Sequence, residues 1–157
     1  MTDAPDTIPP DLKIRAATAA DYDAWLPLWL GYQKFYNVDL PLSTTRITWA
    51  RLLDPAEPMH CALADWGGRI AGMVHFIQHR TCWYPTDTFY LQDLFTDEAL
   101  RGRGLGRRLI QHVYDEAKAR GIARVYWLTH ESNTQAMVLY DQVADKPGFV
   151  QYRKQIG

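Results

Sequence analysis

The first third of the chain changes from strand-like to helix-like spacing of its apolar residues. Leu12–Ala16 alternates apolar and polar side chains, which predicts a half-buried strand. Thr18 with Asp21 three residues later is typical of a helix start. Aromatic residues then recur at near-helical spacing as far as Tyr36, and Pro27 inside this run predicts a kink or a division into two shorter helices.

The middle of the chain predicts a second helix followed by a meander of three strands. The helix covers Thr44–Leu53 and ends at an Asp-Pro pair. Two strands, His60–Ala64 and Ile70–His79, are separated by the glycine-containing turn Trp66–Arg69, which is typical of a hairpin. A third, strongly apolar strand covers Thr88–Thr96.

The last third of the chain alternates helices with strands. The expected elements are a helix with an apolar stripe from Leu105 to Ala117, a strand over Val125–Thr129, a helix over Asn133–Ala144 and a final strand over Phe149–Lys154. Gly121 is well placed to end the first of these helices. Because strand–helix–strand connections join parallel strands, the sheet is expected to be mixed. The pattern predicts an α/β fold with a central, mostly antiparallel sheet flanked by helices.

Composition indicates one globular domain. The chain has 157 residues, of which 47% are hydrophobic and 22% charged, and no repeat or low-complexity linker divides it. Residues 12–157 are expected to form a single domain. The acidic, proline-rich residues 1–11 are expected to be a short flexible lead-in, since they lack the pattern of a signal peptide.

Charge and cysteine content narrow the class of protein. A net charge of −1 argues against nucleic-acid and membrane partners, which favour a basic excess. Cys61 and Cys82 lack metal-type spacing and fit a reducing compartment, so we expect a cytoplasmic protein. His75 and His79 share a strand face, but a third ligand at sensible spacing is missing, so no metal is expected.

The segment RGRGLGRR, between a predicted strand and a predicted helix, carries the clearest chemical signal. The first turn of a helix already has unpaired N–H groups and partial positive charge, and the arginines add more. A bound anion removes this conflict, whereas the alternative is a tight turn with solvated arginines. The residues expected to hold the anion are Arg101, Gly102, Arg103, Gly104, Leu105, Gly106 and Arg107.

Two common phosphate-binding motifs do not fit this segment. The P-loop pattern GxxxxGK[ST] is absent. The dinucleotide pattern GxGxxG fails because its last glycine is missing, and the acidic residue that should follow is too far along the chain at Glu131.

Three motifs in order resemble the GNAT superfamily of N-acetyltransferases. Arg101, Gly104 and Gly106 form the R-x-x-G-x-G pattern of its acyl-CoA turn, and Asn133–Tyr140 is similar to its N-x-x-A-x-x-L-Y helix. The strand before the turn, FYLQDLFT, is the third motif, and together with the strand VYWLTHES before the helix the resemblance covers roughly residues 89–154. It implies a sheet split in a V around acetyl-CoA. It also implies that Leu94, Phe95 and Thr96 pair with the pantetheine arm and that a backbone N–H near Phe95 polarises the thioester.

The resemblance also implies an enzyme that transfers acetyl directly to an amine, with no covalent intermediate. Tyr140 would be the general acid at the cofactor sulfur, with Asn133 beside the cofactor. Asp93 acting through water is the expected base, with Glu131 or solvent as alternatives, because Gln92 stands where a polyamine acetyltransferase has an acid. The alternatives to these catalytic roles are that Tyr140 is a core tyrosine and that Asp93 is a structural carboxylate.

The acceptor site is expected to be aromatic, since ring faces attract ammonium groups. Its expected residues are Tyr32, Tyr36, His79, Trp83 and Glu131. The likeness to polyamine, histone and D-amino-acid acetyltransferases implies a primary amine as acceptor, on a small amine, polyamine, amino acid or protein lysine. It also implies a homodimer. A noncatalytic acyl-CoA-binding sensor is the alternative of a different class.

Overall fold

The structure is a computed structural model that describes residues 11–157. In chain order its elements are β1 (Leu12–Ala16), α1 (Tyr22–Phe35), α2 (Leu42–Leu53), β2 (Met59–Trp66), β3 (Arg69–His79), β4 (Thr88–Thr96), α3 (Leu105–Ala119), β5 (Arg124–Tyr126) and α4 (Thr134–Val143). Almost all of the lead-in predicted over residues 1–11 lies outside the described residues. No helix of the described part is long and apolar enough to cross a lipid bilayer.

The described strands form one five-stranded sheet in the order β1-β2-β3-β4-β5. The first four strands are antiparallel, and β5 pairs parallel to β4 because α3 crosses over between them. The pairing of β4 with β5 ends at Tyr90 and Tyr126, although β4 continues to Thr96. The two strands therefore diverge, and the predicted mixed, mostly antiparallel fold is confirmed.

Helices cover both faces of the sheet. On one face α3 buries Leu109 and Val113 against Val74 and other residues of β3 and β4. On the other face α1 and α2 bury an aromatic cluster that includes Trp25 and packs on Met73. Neighbouring residues of a strand point to opposite faces, so Met73 and Val74 belong to different clusters. Fully burying one such side chain contributes roughly 1.5–3 kcal/mol to the free energy of unfolding. Because both clusters are buried, both faces of the sheet contribute to stability.

A β-bulge interrupts β4 next to the divergence. His75 pairs with Asp93, but the next residue of β3, Phe76, pairs with Leu91, so Gln92 is the extra residue. Leu91 packs in the α3 cluster, whereas Asp93 contacts His75 on the α1 side. The bulge therefore turns the Asp93 carboxylate to the face opposite Leu91, which simple alternation along the strand does not predict.

The first helix continues through its proline. Thr18 and Asp21 form the predicted capping box before a short 3₁₀ turn, and α1 then runs unbroken over Pro27. The predicted division into two helices is wrong. Trp25, Leu28 and Trp29 are buried around this turn, and their packing outweighs the loss of one backbone hydrogen bond.

Other elements differ from prediction mainly at their ends. The hairpin turn is only Gly67-Gly68, both with positive φ, so β2 and β3 are each longer than predicted. β5 ends at Tyr126 instead of Thr129 because no strand of the described part supports its outer edge.

The final strand predicted over Phe149–Lys154 is not formed. These residues have no regular secondary structure, are all exposed and pair with no strand of the described part of the chain.

Candidate active site

A cleft of about 490 Å³ opens where β4 diverges from β5. The ends of α1 and β4, the glycine turn before α3, and α4 form its walls. Of the residues expected to hold a cofactor, every one except Arg103 lines this cleft. Tyr32 and Tyr36, expected on the acceptor side, line it as well.

The glycine turn presents the start of α3 to the cleft. Gly102 and Gly104 have φ of +76° and +77°, a backbone region in which side chains other than glycine are strained. Gly104 precedes α3 without a side-chain cap, and the first turn has no acidic residue. The unpaired N–H groups of this helix start therefore suit an anion.

The arginines of the turn separate into two groups. The Arg101 guanidinium lies 5.3 Å from the centre of the Phe95 ring, and Arg107 donates a hydrogen bond to Gln142 on α4, all four residues lining the cleft. Arg103 instead lies 5.5 Å from the Trp66 ring and outside the cleft wall.

Tyr140 lies on the cleft side of α4, with its ring edge-on to Trp127. Burial, and to a smaller extent the neighbouring Tyr36, raises the pKa of Tyr140 to about 12. The phenol is therefore protonated throughout the neutral range and can donate to a developing thiolate.

Asn133 occupies the N-cap position of α4, but its side chain does not cap the helix. Its Nδ2 donates instead to Thr129 Oγ1 at 3.0 Å, and the residue lines the cleft. The side chain thus ties the loop after β5 to the start of α4.

Behind the cleft, a buried chain of hydrogen bonds ends at Asp93. Trp25 Nε1 donates to His75 Nε2 at 2.9 Å, and His75 Nδ1 lies 2.9 Å from Asp93 Oδ2. Trp25, His75 and Asp93 are all buried.

This chain fixes the protonation of the imidazole. An indole N–H can only donate, so His75 Nε2 must be the acceptor, and Nδ1 carries the proton that is donated to Asp93. The contact between His75 and Asp93 is therefore a hydrogen bond from a neutral imidazole to a carboxylate.

Asp93 is surrounded by phenols on its other side. Burial first, and next the Asp93 carboxylate, raise the pKa of both Tyr32 and Tyr90. The Tyr32 ring lies 5.0 Å from Tyr36, and the Tyr32 hydroxyl is 3.4 Å from the Gln92 carbonyl oxygen. Asp93 does not itself line the cleft, but Tyr32 and Tyr36 connect it to the cleft wall.

Three residues expected at the acceptor site lie elsewhere. His79 accepts from the Tyr126 hydroxyl at 2.8 Å and borders a separate surface depression near Arg120. Trp83 is 74% exposed in the loop between β3 and β4, and Glu131 is exposed after β5. None of the three lines the cleft.

No sequence pattern reveals the hydrogen-bonded chain from Trp25 through His75 to Asp93, or the phenols near Asp93. In the sequence, His75 stands out only as a possible metal ligand, Trp25 belongs to the aromatic run at near-helical spacing, and Tyr90 lies inside a predicted strand. The one available signal was the pairing of strands, since His75 faces Asp93 across adjacent strands. The bulge that aligns them has no mark in the sequence.

A mixed sheet that opens beside an uncapped, glycine-led helix start has the architecture to bind an extended anionic ligand between diverging strands. The chain matches the Acetyltransferase (GNAT) family over residues 22–144. It therefore belongs to the GNAT family of acetyltransferases, and it is an acetyl-CoA-dependent N-acetyltransferase.

Individual relatives agree with this assignment. The chain is 36% identical to a D-amino-acid N-acetyltransferase of Saccharomyces cerevisiae, over 91% of this chain and 90% of the relative. It is 27% identical to an uncharacterised N-acetyltransferase of Bacillus subtilis, over 90% and 95% of the two chains.

Solved structures share the fold. A probable acetyltransferase superposes with a TM-score of 0.80 at 21% identity, covering 92% of this chain and 98% of the other. An aminoglycoside acetyltransferase from an uncultured soil sample superposes with a TM-score of 0.79 at 17% identity, covering 94% and 97%. At these identities the likeness supports the fold alone.

Acetyl-CoA, the acetyl donor of the family, fits the residues of the cleft. The uncapped start of α3 and the side chains of Arg101 and Arg107 supply donors for a pyrophosphate. The unpaired end of β4 supplies backbone groups for an amide-containing arm. The residues that form the cleft thus have the donor and acceptor chemistry this ligand requires.

Proposed function

We propose that this enzyme transfers the acetyl group of acetyl-CoA to a primary amine of a small molecule, by direct attack with both substrates bound. One observation carries the proposal. Tyr36 lines the cleft together with Tyr140, and its ring lies 5.0 Å from that of Tyr32, whose hydroxyl is 3.4 Å from the carbonyl oxygen of Gln92, next to Asp93. The phenols of Tyr32 and Tyr36 therefore connect the carboxylate of Asp93, which lies outside the cleft wall, to Tyr140 in that wall.

Acetyl-CoA supplies a thioester, whose acetyl group is activated toward amines. The start of α3, Arg101 and Arg107 bind its phosphates, and the end of β4 orients its arm. A backbone N–H near Phe95 polarises the carbonyl as negative charge grows on its oxygen.

Asp93 takes up the amine proton by way of water. An alkyl amine has a pKa near 10.4 and must lose a proton before it can attack. The carboxylate is held from behind by His75 and faces the phenols of Tyr32 and Tyr90, whose rings also suit a cationic amine. His75 and Trp25 are positioning residues, because they act on the substrate only through Asp93.

Tyr140 stabilises the departing thiolate. Its raised pKa keeps the hydroxyl proton in place at neutral pH, so the phenol donates to sulfur as charge develops there. Covalent catalysis has no support at this cleft, since Cys61 is buried and Cys82 exposed, and neither lines it.

The acceptor is proposed to be a free amino acid or a similarly small amine. The yeast relative at 36% identity carries the name of a D-amino-acid N-acetyltransferase, and the match spans nearly the whole of both chains. The unpaired thiols agree with a reducing compartment, for which we propose the cytoplasm.

An amine panel tests the proposal. Thiol release from acetyl-CoA is measured with D- and L-amino acids, polyamines, an aminoglycoside and a lysine peptide. We expect turnover with the small amines, intersecting double-reciprocal plots, and a loss of about 10²-fold or more in kcat for Asp93→Asn.

Each other outcome has a definite meaning. Parallel plots would show a covalent intermediate and overturn direct attack. Saturable binding of acetyl-CoA with no turnover on any amine would favour the noncatalytic sensor. Full activity in Asp93→Asn would leave solvent or Glu131 as the base.

A further inference from the structure

Two stacked tyrosines extend from Asp93 along the face of the sheet on which α1 packs. Leu91 packs in the α3 cluster, so the preceding residue, Tyr90, points to the opposite face, as Asp93 does. Tyr126 pairs with Tyr90 in the register of β4 and β5, and the two rings stack with their centres 5.0 Å apart. We call Tyr90 and Tyr126 the tyrosine pair. Both side chains are half-buried, so part of the pair is accessible to a ligand.

Arg124 lies at the end of the tyrosine pair that is farther from Asp93. It pairs with Thr88 at the start of β4, whereas Asp93 lies toward the other end of this strand. The guanidinium carbon is 5.6 Å from the centre of the Tyr126 ring and 5.4 Å from that of the Tyr84 ring. Attraction to the two ring faces holds the cation in place, although the side chain is exposed.

The positive charge of Arg124 has no acidic partner among residues 11–157. Asp87, in the loop before β4, accepts from Gln78 and pairs with Arg80 instead. The side chain of Arg124 makes one hydrogen bond in the described part of the chain, from Nε to Thr88 Oγ1 at 3.5 Å. Both terminal nitrogens are therefore open to a ligand, and a guanidinium fixed in this way suits a bidentate bond to a carboxylate.

We propose that the acetyl acceptor is an amine that also carries a carboxylate, and that Arg124 binds this carboxylate while the alkyl chain lies against the tyrosine pair. The inference rests on the proposed function, because the amine end must reach Asp93 and the cleft. A polyamine in the same position would place a second ammonium group against the cation of Arg124. Arg124 thus selects between two classes of acceptor by attracting one and repelling the other.

The separation of Arg124 from Asp93 sets the length of the acceptor. Asp93 and Tyr90 are three residues apart on β4, or roughly 7–10 Å at ~3.3 Å per residue. The carboxylate binds between the guanidinium and the amine, so it lies roughly 5–8 Å from the amine, about four to six bonds of an extended alkyl chain. An ω-amino acid, or the side-chain amine of a basic amino acid, meets this requirement. An α-amine does not, because its own carboxylate is only two bonds away.

A matched pair of acceptors tests the role of Arg124 in the full chain. 6-Aminohexanoate and hexylamine both present an amine on a six-carbon chain, and only the first carries a carboxylate. Thiol release from acetyl-CoA should give a kcat/KM for 6-aminohexanoate at least tenfold above that for hexylamine. This ratio should fall at least tenfold in Arg124→Gln, and Arg124→Glu should make 1,6-diaminohexane the preferred acceptor of the three. Arg80→Gln is the matched control, since it removes the same charge from another exposed arginine, and it should preserve the ratio.

The remaining outcomes separate this inference from the proposed function. Equal kcat/KM for the two acceptors, or a ratio that survives in Arg124→Gln, would overturn the role of Arg124 and leave transfer to amines intact. Highest activity with glycine would show that the carboxylate binds next to the reacting amine, which would also overturn it. Absence of turnover with every amine would overturn the proposed function and this inference with it.

Discussion

The carboxylate of Asp93 is held in place by a hydrogen bond from a neutral imidazole and not by a cationic side chain. His75 donates one hydrogen bond to it and is itself fixed by Trp25. The next tryptophan, Trp29, stacks on Trp25, but its Nε1 has no hydrogen-bond partner in the described part of the chain. Both indoles are buried, but only that of Trp25 donates a hydrogen bond to the imidazole of His75.

Replacing each tryptophan by phenylalanine separates positioning from packing. Trp25→Phe frees His75 Nε2, so the imidazole can change tautomer and Asp93 loses a fixed partner. We expect kcat to fall about tenfold, a loss of ~1.4 kcal/mol in transition-state stabilisation, with KM for acetyl-CoA unchanged.

Trp29→Phe is the control, since it removes a similar volume but no hydrogen bond to His75. Nitrogen-15 NMR of the histidine ring reports the tautomer directly, and we expect Nδ1 protonated in the unmodified enzyme and in Trp29→Phe. Equal kinetic losses in the two variants would assign the effect to packing.

We expect Tyr140 to increase the rate of acetyl transfer without changing how that rate depends on pH. Its pKa is raised to about 12, so its hydroxyl is protonated from pH 6 to pH 10. We expect Tyr140→Phe to lower kcat by about 10²-fold at every pH in this range and to leave the form of the profile unchanged.

Tyr114→Phe is the matched control, because that hydroxyl bonds to the Val143 carbonyl outside the cleft. A basic limb that lies below pH 10 in the unmodified enzyme and is absent from Tyr140→Phe would contradict the raised pKa.

The start of α3 and the facing side of α4 line the part of the cleft where we propose that the phosphates bind. Arg107 contacts Gln142 across this gap, whereas Arg103 is drawn away to Trp66. Arg103 and Arg107 therefore have different surroundings, although both lie in the same segment rich in arginine and glycine.

Arg107→Ala and Arg103→Ala should differ in their effect on the donor substrate. A charge-assisted hydrogen bond contributes about 1.5–3 kcal/mol, so we expect Arg107→Ala to raise KM for acetyl-CoA about tenfold or more. Arg103→Ala should change it less than threefold.

Acetyl-pantetheine, which lacks the pyrophosphate, should be used equally well by both arginine variants and the unmodified enzyme. Steady-state kinetics with the two donors measure this. If Arg107→Ala impaired both donors alike, its role would be structural.

The whole fold is stabilised by ion pairs that link β1 to neighbouring elements. Arg15 bonds to Asp21 at 2.8 Å and to Asp65 at 2.9 Å. Hydrogen bonds from Arg15 lower the pKa of Asp21 despite its burial, and they lower the pKa of Asp65. A lowered pKa means that the folded state takes up these protons at lower pH than the unfolded state.

Stability from this cluster is therefore complete above about pH 4, near the ordinary pKa of Asp, and is lost as the pH falls further. We expect Asp21→Asn to lower Tm at pH 7 and to make the fall in Tm between pH 4 and pH 2 shallower. Thermal melts followed by circular dichroism check this. Asp39→Asn, at an exposed residue, should leave both unchanged.

The sequence by itself determined the order of elements from β1 to α4 and the place of the glycine turn before α3. β1, β4 and the helix that follows the glycine turn were predicted closely because apolar spacing and glycine positions are local signals. The turn from Arg101 to Arg107 was readable for the same reason, since the N–H groups of a helix start need no distant partner.

Only the tertiary structure decided which aromatic side chains line the cleft and which side chains surround Asp93. The bulge at Gln92 turns Asp93 toward His75, and the contacts join residues 18 to 50 positions apart. Side-chain direction after a bulge depends on pairing with another strand, which no local pattern reports. Tertiary packing likewise kept α1 intact over Pro27. Phe149–Lys154, a strand by composition, pairs with no strand among residues 11–157, because a strand forms only where tertiary structure brings its backbone groups to a partner.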